Sequence, residues 1–322
     1  MTDLTLAICM YNAEKYIKET LESVIAQTMQ NFYLLIVNDC STDNSLAVVD
    51  EFFAQHPRQY EVVTFNENCG IATARSFAIK HAKTEYFLFI DSDDLLEPTL
   101  VEEEYSAITN NNDLIGVSCW NDFIDEKSKK INGGTFLGEK SKEDFIEKAK
   151  RNKLIFLPIH TMFDRKYAIR AGGICTNGFP DGKPRYHDFC EELDMWTRMS
   201  DFYKDGKAII TIPKLLYHYR KIDGLSSNHF NMIIKMRYTK RNLLLRRRGE
   251  KELTFIEFYN SLTKKELKKL KDDAKAADCL RNGVFYLKRK KIFKGAWEIL
   301  KSMYYRPGYI FDKFKHNFLK KK

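Results

Sequence analysis

YFLFIDSDD, residues 86–94, decides how this chain is read. Tyr86 to Ile90 form an apolar run with the length and composition of a buried strand. The run empties into Asp91, Asp93 and Asp94, with Ser92 between them. Ligands in open α/β sheets bind just outside the carboxyl ends of such strands. Carboxylates packed this densely repel one another unless a cation holds them, and hard oxygen ligands suit Mg²⁺ or Mn²⁺. A cation held by one or two carboxylates completes its shell with substrate phosphates, so the stretch predicts a metal–diphosphate site. An isolated Asp-x-Asp is more often an acidic turn, and the flanking sequence has to separate the two readings.

Upstream, strand and helix patterns alternate with short turns. Leu4 to Cys9 is an apolar run, and Asn12 is expected to cap a helix whose face carries Ile17, Leu21, Val24 and Ile25. Tyr33 to Val37 reads as a second strand, NDCSTDNS (38–45) as a turn and helix start, and Leu46, Val49 and Phe53 as the next helix face. Glu61 to Phe65 is a third strand and Ile71 to Ala82 a third helix, before the strand that delivers Asp91. Repeated β-α units of this size call for a parallel sheet with helices on both faces.

CMYNAEKYIKETLESVIAQT (9–28), VNDCSTDNS (37–45), NENCGIATAR (66–75), DSDD (91–94), AGGICTNGFPDGKPRYHDFCEELDMWTRM (171–199) and YHYRKIDGLSS (217–227) follow one another in the order seen in family 2 of the glycosyltransferases. From residue 4 to about 228 the chain resembles that family of inverting, metal-dependent enzymes. The resemblance implies an α/β chain with the GT-A nucleotide-diphospho-sugar transferase fold, Rossmann-like, with a mostly parallel central sheet. It implies that Asp39 accepts from an imide-type N–H of the base, favouring uracil, and that Tyr11 covers the base. Asn12, Asn68, Arg75, Asp91, Ser92 and Arg220 are expected around the nucleotide sugar, and Asp93 with Asp91 on Mn²⁺ or Mg²⁺. Arg220 falls where the family has a segment that closes over the diphosphate, and Ser226 and Ser227 fit such a loop. In some relatives a late histidine completes the metal shell, and His218 or His229 could do so here, but a structural histidine is the expected reading at both, as at His160 and His187.

Two departures stand out. Cys9 replaces the family's usual proline, whose contribution is rigidity rather than chemistry. The acceptor-side motif reads Glu191-Glu192 where the family usually has Glu-Asp. Counting back from Asp194, Trp196 and Arg198, the catalytic-base position is Glu192, with Glu191 beside it. Glutamate carries the same carboxylate one methylene further out.

At 322 residues the chain has room for a large α/β core with an appendage. Hydrophobic content of 44% excludes a mainly disordered protein. There is no apolar window of membrane-spanning length and no basic-then-apolar leader pattern, and the seven cysteines are scattered without a C-x-x-C pair, so a reduced, cytoplasmic setting is expected. Charge divides the chain. Residues 231–322 hold 27 Lys and Arg against 9 Asp and Glu, whereas residues 1–230 are net acidic. The expected domains are therefore a catalytic one, 1–230, and a basic, aromatic-rich helical region, 231–322. In that region Ala296, Ile299, Leu300 and Met303 are expected on one helical face, with Trp297 beside it. Cations beside interfacial aromatics are what a helix on an anionic membrane uses. Nucleic acid is the rival partner for a basic surface, but no recognised nucleic-acid motif accompanies it, and none is expected to bind; the third reading is a merely solvated helical bundle that packs on the catalytic domain.

The sequence thus predicts an inverting transfer from a nucleotide-sugar donor, UDP-sugar favoured, to a glycan or lipid-linked glycan acceptor in cell-surface polysaccharide synthesis, at the inner face of the plasma membrane. The competing readings are a polyprenyl-phosphate glycosyltransferase and, because position 192 is not aspartate, a catalytically silent sugar-nucleotide-binding or scaffold protein.

Overall fold

The computed structural model describes residues 3–221, 228–288 and 290–310; Ser226, Ser227, Phe311 and Phe318 lie outside them. In chain order the elements begin β1 (Leu4–Met10), α1 (Ile17–Ile25), β2 (Tyr33–Asn38), α2 (Ser45–Gln55), β3 (Tyr60–Thr64), α3 (Ile71–His81) and β4 (Tyr86–Asp91). They continue with β5 (Leu95–Leu96), α4 (Leu100–Thr109), β6 (Leu114–Ile124), β7 (Lys130–Thr135), α5 (Lys142–Lys150), β8 (Met162–Asp164), α6 (Arg165–Arg170), α7 (Glu191–Met199) and β9 (Ala208–Arg220). Four helices follow: α8 (His229–Arg247), α9 (Phe255–Ser261), α10 (Lys264–Lys288) and α11 (Ile292–Tyr305).

The strands form a single sheet in the order β3-β2-β1-β4-β8-β6-β9-β5, with β7 paired to β6. From β3 to β4 every pairing is parallel, and so is the long β6–β9 pairing. The short strands β8, β7 and β5 pair antiparallel. β1 and β4 are buried along nearly their whole length because helices cover both faces, so they read as continuous apolar runs. The strand order reverses at β1: β2 and β3 build to one side of it and β4 to the other. The crevice beyond the carboxyl ends of β1 and β4 is therefore the switch point where such sheets bind ligands. In register, Cys9 of β1 lies opposite Asp91 of β4, and Met10 opposite Asn38 of β2.

Asn12 does not cap α1. Its φ is 51°, in the left-handed region, and the cap position falls on Tyr16 without a side-chain bond. The side chain of Asn12 instead accepts from the Thr42 N–H at 2.8 Å, while Ser41 Oγ and Ser45 Oγ accept from the N–H groups of Asn12 and Ala13. The loops after β1 and β2 are stitched together by these bonds.

The chain divides into two compact units whose boundaries differ from the expected break at residue 230. One holds 1–177, 190–222 and 242–250, and carries the sheet. The other holds 178–189, 223–241 and 251–322. Residues 242–250 belong to the sheet unit because Arg246 and Arg247 both pair with Asp201, at 2.5 and 2.7 Å. Residues 178–189 belong to the helical unit because Phe179 and Tyr186 stack on Phe255, beside Tyr238, Phe258 and Leu270.

Candidate active site

The sheet unit gathers its ionisable side chains at the switch point. Asp39 follows β2, and its N–H donates to Met10 O at 2.8 Å, continuing the β1–β2 pairing by one residue. Its buried carboxylate accepts from Asn68 Nδ2 at 2.8 Å and from the N–H groups of Cys69 and Gly70 at 2.7 and 2.9 Å. Gly70, with φ 91° and ψ 159°, opens α3 in a region reserved for glycine. Asp39 and Asn68, both expected at the nucleotide, are thus in contact and hold the turn that launches α3. Tyr11 stands at the rim, 48% exposed, its ring open to a ligand.

One turn into α3, Arg75 is buried and forked between two acids. Nη2 meets Asp91 Oδ1 at 2.5 Å, and Nη1 pairs with Glu191 at the start of α7. Burial alone would lower the Arg75 pKa, but the charges of Asp91, Glu191 and Glu192 outweigh it and hold the guanidinium firmly protonated. The fork ties the end of β4 to the start of α7, two elements a hundred residues apart in sequence (Asp91 and Glu191). Removing one partner of such a pair strands a buried charge, at a cost of about 3–5 kcal/mol. Arg75→Met is expected to lower the unfolding free energy by that order, measured as a shift in urea midpoint. A shift no larger than that of an exposed arginine would show that the fork carries no stability.

Asp91, Ser92, Asp93 and Asp94 turn off the end of β4. Burial and the charge of Asp91 push the Asp93 carboxyl up to about 6. Burial, then Asp91 and Asp93, hold Asp94 well above the usual carboxylate range, with the Arg220 N–H and the Tyr217 hydroxyl acting the other way. The Arg220 N–H bonds Asp94 Oδ1 at 2.7 Å, and the Asp94 carboxylate is buried. Asp93 and Asp94 are desolvated carboxylates further disfavoured in their ionised forms by neighbouring negative charge, which Arg75 and Arg220 only partly offset at Asp93, as at a site that can take a further cation. The donor set, hard oxygens on Asp91 and Asp93, fits Mn²⁺ or Mg²⁺. Among the described residues no cluster of three or more His, Cys, Asp or Glu side chains forms a self-contained metal cage. A cation bridging protein and diphosphate needs none.

Arg220 lies beneath this turn. Its side chain is fully buried: Nε donates to Asp93 O at 2.6 Å, Nη1 to Asp125 O and Ser128 Oγ, and Nη2 pairs with Glu19 at 3.1 Å. Its donors are spent on the protein, and it braces the acidic turn from below. Tyr217, which enters the sequence reading only as the first residue of the 217–227 stretch and is given no role there, is the other brace. Its hydroxyl accepts from the Asp91 N–H at 3.3 Å, and its ring stacks on His160 with centroids 3.7 Å apart. Burial drives the His160 pKa down to about 3, so this histidine is a neutral platform. The antiparallel β5–β9 pairing, which sets Leu96 opposite Tyr217 just past the acidic turn, brings the tyrosine there.

His218 and His229, which could have completed a metal shell, are each paired with carboxylates in the structural role expected for them. His218 sits between Asp122, 2.5 Å from Nδ1, and Glu97, 2.9 Å from Nε2. His229 pairs with Asp278 at 2.6 Å, both in the helical unit. Cys9 faces the same charges, and burial lifts its thiol to about 12, which rules it out as a nucleophile at neutral pH.

Helix α7 begins at Cys190, whose φ of 51° is left-handed. Glu191, Glu192 and Asp194 fill the first turn, where the helix dipole favours negative charge. The two glutamates are not equivalent. Glu191 is buried in the Arg75 fork, whereas Glu192 is half-buried. Burial and the Glu191 charge push Glu192 up to about 8, against the pull of Arg75. A carboxylate poised near neutral pH can take up a proton and give it back. Asp194 is held by Arg198 at 2.9 Å.

The model of the family described as Glycosyl transferase family 2 matches residues 5–171. A teichoic acid poly(glycerol phosphate) polymerase of Staphylococcus epidermidis is 38% identical over 115 residues, which is 36% of this chain and 16% of that protein. An uncharacterized glycosyltransferase of Haemophilus influenzae is 24% identical over 232 residues, 71% of this chain and 68% of that one. Among solved structures, S. aureus TarS 1–349 in complex with UDP-GlcNAc has a TM-score of 0.54 at 18% identity, covering 96% of this chain and 92% of that one, a likeness of fold.

Proposed function

Because the chain belongs to glycosyl transferase family 2, we propose that it transfers a sugar, with inversion, from a UDP-sugar to a glycan or lipid-linked glycan in cell-surface polysaccharide synthesis. The observation that carries this reading is the Arg75 fork, which joins the acidic turn to a helix start bearing a carboxylate with a pKa of about 8. The name of the staphylococcal polymerase supports a surface-polymer pathway, and the UDP-GlcNAc complex of TarS supports a UDP-sugar donor.

Asp39, set by the 68–70 turn, accepts from the base N–H, and Tyr11 covers the base face. Asp91 and Asp93 hold Mn²⁺ or Mg²⁺, which when bound neutralises the charge developing on the departing diphosphate. Ser92 lies in the turn between the two, and Arg220 and Tyr217 keep that turn in place. Asn12 fixes the loop on which Tyr11 stands. Arg75 holds α7 against the donor site, so that Glu192 faces the acceptor. Glu192 then takes the proton from the acceptor hydroxyl as the oxygen attacks the anomeric carbon. A single displacement inverts that carbon and needs only one base. The poised pKa of Glu192 favours a working enzyme over a silent binding protein. We also place the protein at the inner face of the plasma membrane through residues 231–322; no helix among the described residues is long and apolar enough to cross a membrane.

Purified protein incubated with Mn²⁺ and UDP-, GDP- or dTDP-sugars is expected to release UDP fastest. Equal, background-level release from all three donor classes would sink the proposal, and release of GDP or dTDP alone would correct the donor.

A further inference from the structure

Helix α11 turns its small residues inward and most of its large apolar ones outward. Gly295 and Ser302 are its buried positions. At Gly295 an added Cβ would lie 3.0 Å from Gly283 O of α10 and 2.6 Å from Leu287 Cγ, so the two helices meet backbone to backbone. Ser302 Oγ donates to Ala276 O at 2.8 Å. At these points the helices meet without intervening side chains, and Leu287 and Ile299 pack over the facing glycines. Phe293, Trp297, Leu300 and Tyr304, spaced four, three and four apart, form a stripe on the opposite face. They are 93, 61, 57 and 84% exposed. The face expected from sequence differs, since Ile299 turns toward Gly283.

Charge identifies the occupant of this stripe. From residue 279 to 310 the chain carries a single carboxylate, Glu298, and that one is paired with Lys301 at 2.7 Å. Eight Lys and Arg share the segment, and Lys290, Lys291 and Lys294 are exposed around Phe293 at the turn between α10 and α11. A second copy docked on the same face would bring like charges together. An anionic lipid surface instead accepts the aromatic rings at headgroup depth and the ammonium groups at the phosphates. We propose that the outward face of α11, entered from the Lys290–Lys294 turn, is the surface by which this chain lies on anionic phospholipid. The inference rests on the membrane placement above and is independent of the transfer reaction.

The test is flotation of the full chain with phosphatidylglycerol/phosphatidylethanolamine vesicles and with phosphatidylcholine vesicles, together with quenching of tryptophan emission by brominated acyl chains. The full chain is expected to float with the anionic vesicles at least tenfold more than with the neutral ones, and to be quenched there. Phe293→Ser/Trp297→Ser is expected to lose most flotation and all quenching, and Lys290→Glu/Lys291→Glu/Lys294→Glu to lose the preference for anionic lipid. These side chains are exposed, so unchanged circular dichroism and melting should accompany both losses. If the full chain floats and Phe293→Ser/Trp297→Ser floats equally, the membrane placement stands and this face is overturned. If the full chain ignores anionic vesicles, because residues 311–322, a second copy or an acidic protein covers the stripe, both are overturned.

Discussion

Asp93→Asn should abolish sugar transfer and weaken Mn²⁺ binding together. The substitution keeps the side-chain shape but removes one of the two charges that face the diphosphate. At pH 7 Asp93, with its pKa near 6, is mostly ionised, yet its ionised form is disfavoured by burial and by Asp91. A cation relieves that repulsion, so loading with Mn²⁺ should lower the pKa of Asp93 and release protons in weakly buffered solution. The expected loss in transfer is about 10²–10³ or more, the lower bound being the scale for removing a group that stabilises developing charge directly. Chelation by EDTA should mimic the variant, and Mn²⁺ or Mg²⁺ should reverse it in the parent only. Full transfer by thoroughly chelated parent protein would remove the metal from the mechanism.

Glu192→Gln is the second large effect. Donor affinity should stay within a fewfold of the parent, while transfer falls by about 10²–10⁴, the range for a lost general base. Glu191→Gln should behave differently, since it leaves Arg75 with only one of its two partners; stability and activity should drop together. The pH profile carries the sign. Glu192 acts as a base only when ionised, and its pKa of about 8 lies above the ordinary carboxylate range. The transfer rate should therefore rise from pH 6 to about 8 and then level off, and the Glu192→Gln residual rate should lack that rise. Normal transfer by Glu192→Gln would move the base to Glu191 or to Asp188, the acid three residues before Glu191. Asp39→Ala is expected to raise the donor KM first, because it would remove the proposed base contact and would free the Asn68–Gly70 turn at the same time.

The first half of the fold was readable because each element there announces itself locally. Parallel strands covered on both faces need unbroken apolar runs, and Leu4–Met10, Tyr33–Asn38 and Tyr86–Asp91 have them. Asp91 and Asp93 were readable for the same reason, as polar residues placed where such a run ends. Asn12 misled because asparagine is favoured both at helix caps and at left-handed turns. Only the Thr42 N–H, thirty residues on, selects the second use. Likewise, a run of small and large residues in 292–305 shows that a helix is amphipathic, but not which face its neighbour takes. The backbone approach of Gly283 and Gly295 made that choice.

Local composition and order were enough to specify the strands, the acidic turn, the acidic–basic division of the chain and the family likeness, because strand burial, turn chemistry and charge are properties of neighbouring residues. The roles of Arg75, Arg220, Tyr217 and the two glutamates were decided only in three dimensions. Arg75 spends its charge on Asp91 and Glu191, and Arg220 supports the acidic turn from beneath with its donors turned into the protein. Glu191 and Glu192 are the same residue type in adjacent positions, and they are told apart by which one the guanidinium reaches. Desolvation and charge pairing depend on everything within a few ångströms, and that neighbourhood is assembled from segments a hundred residues apart.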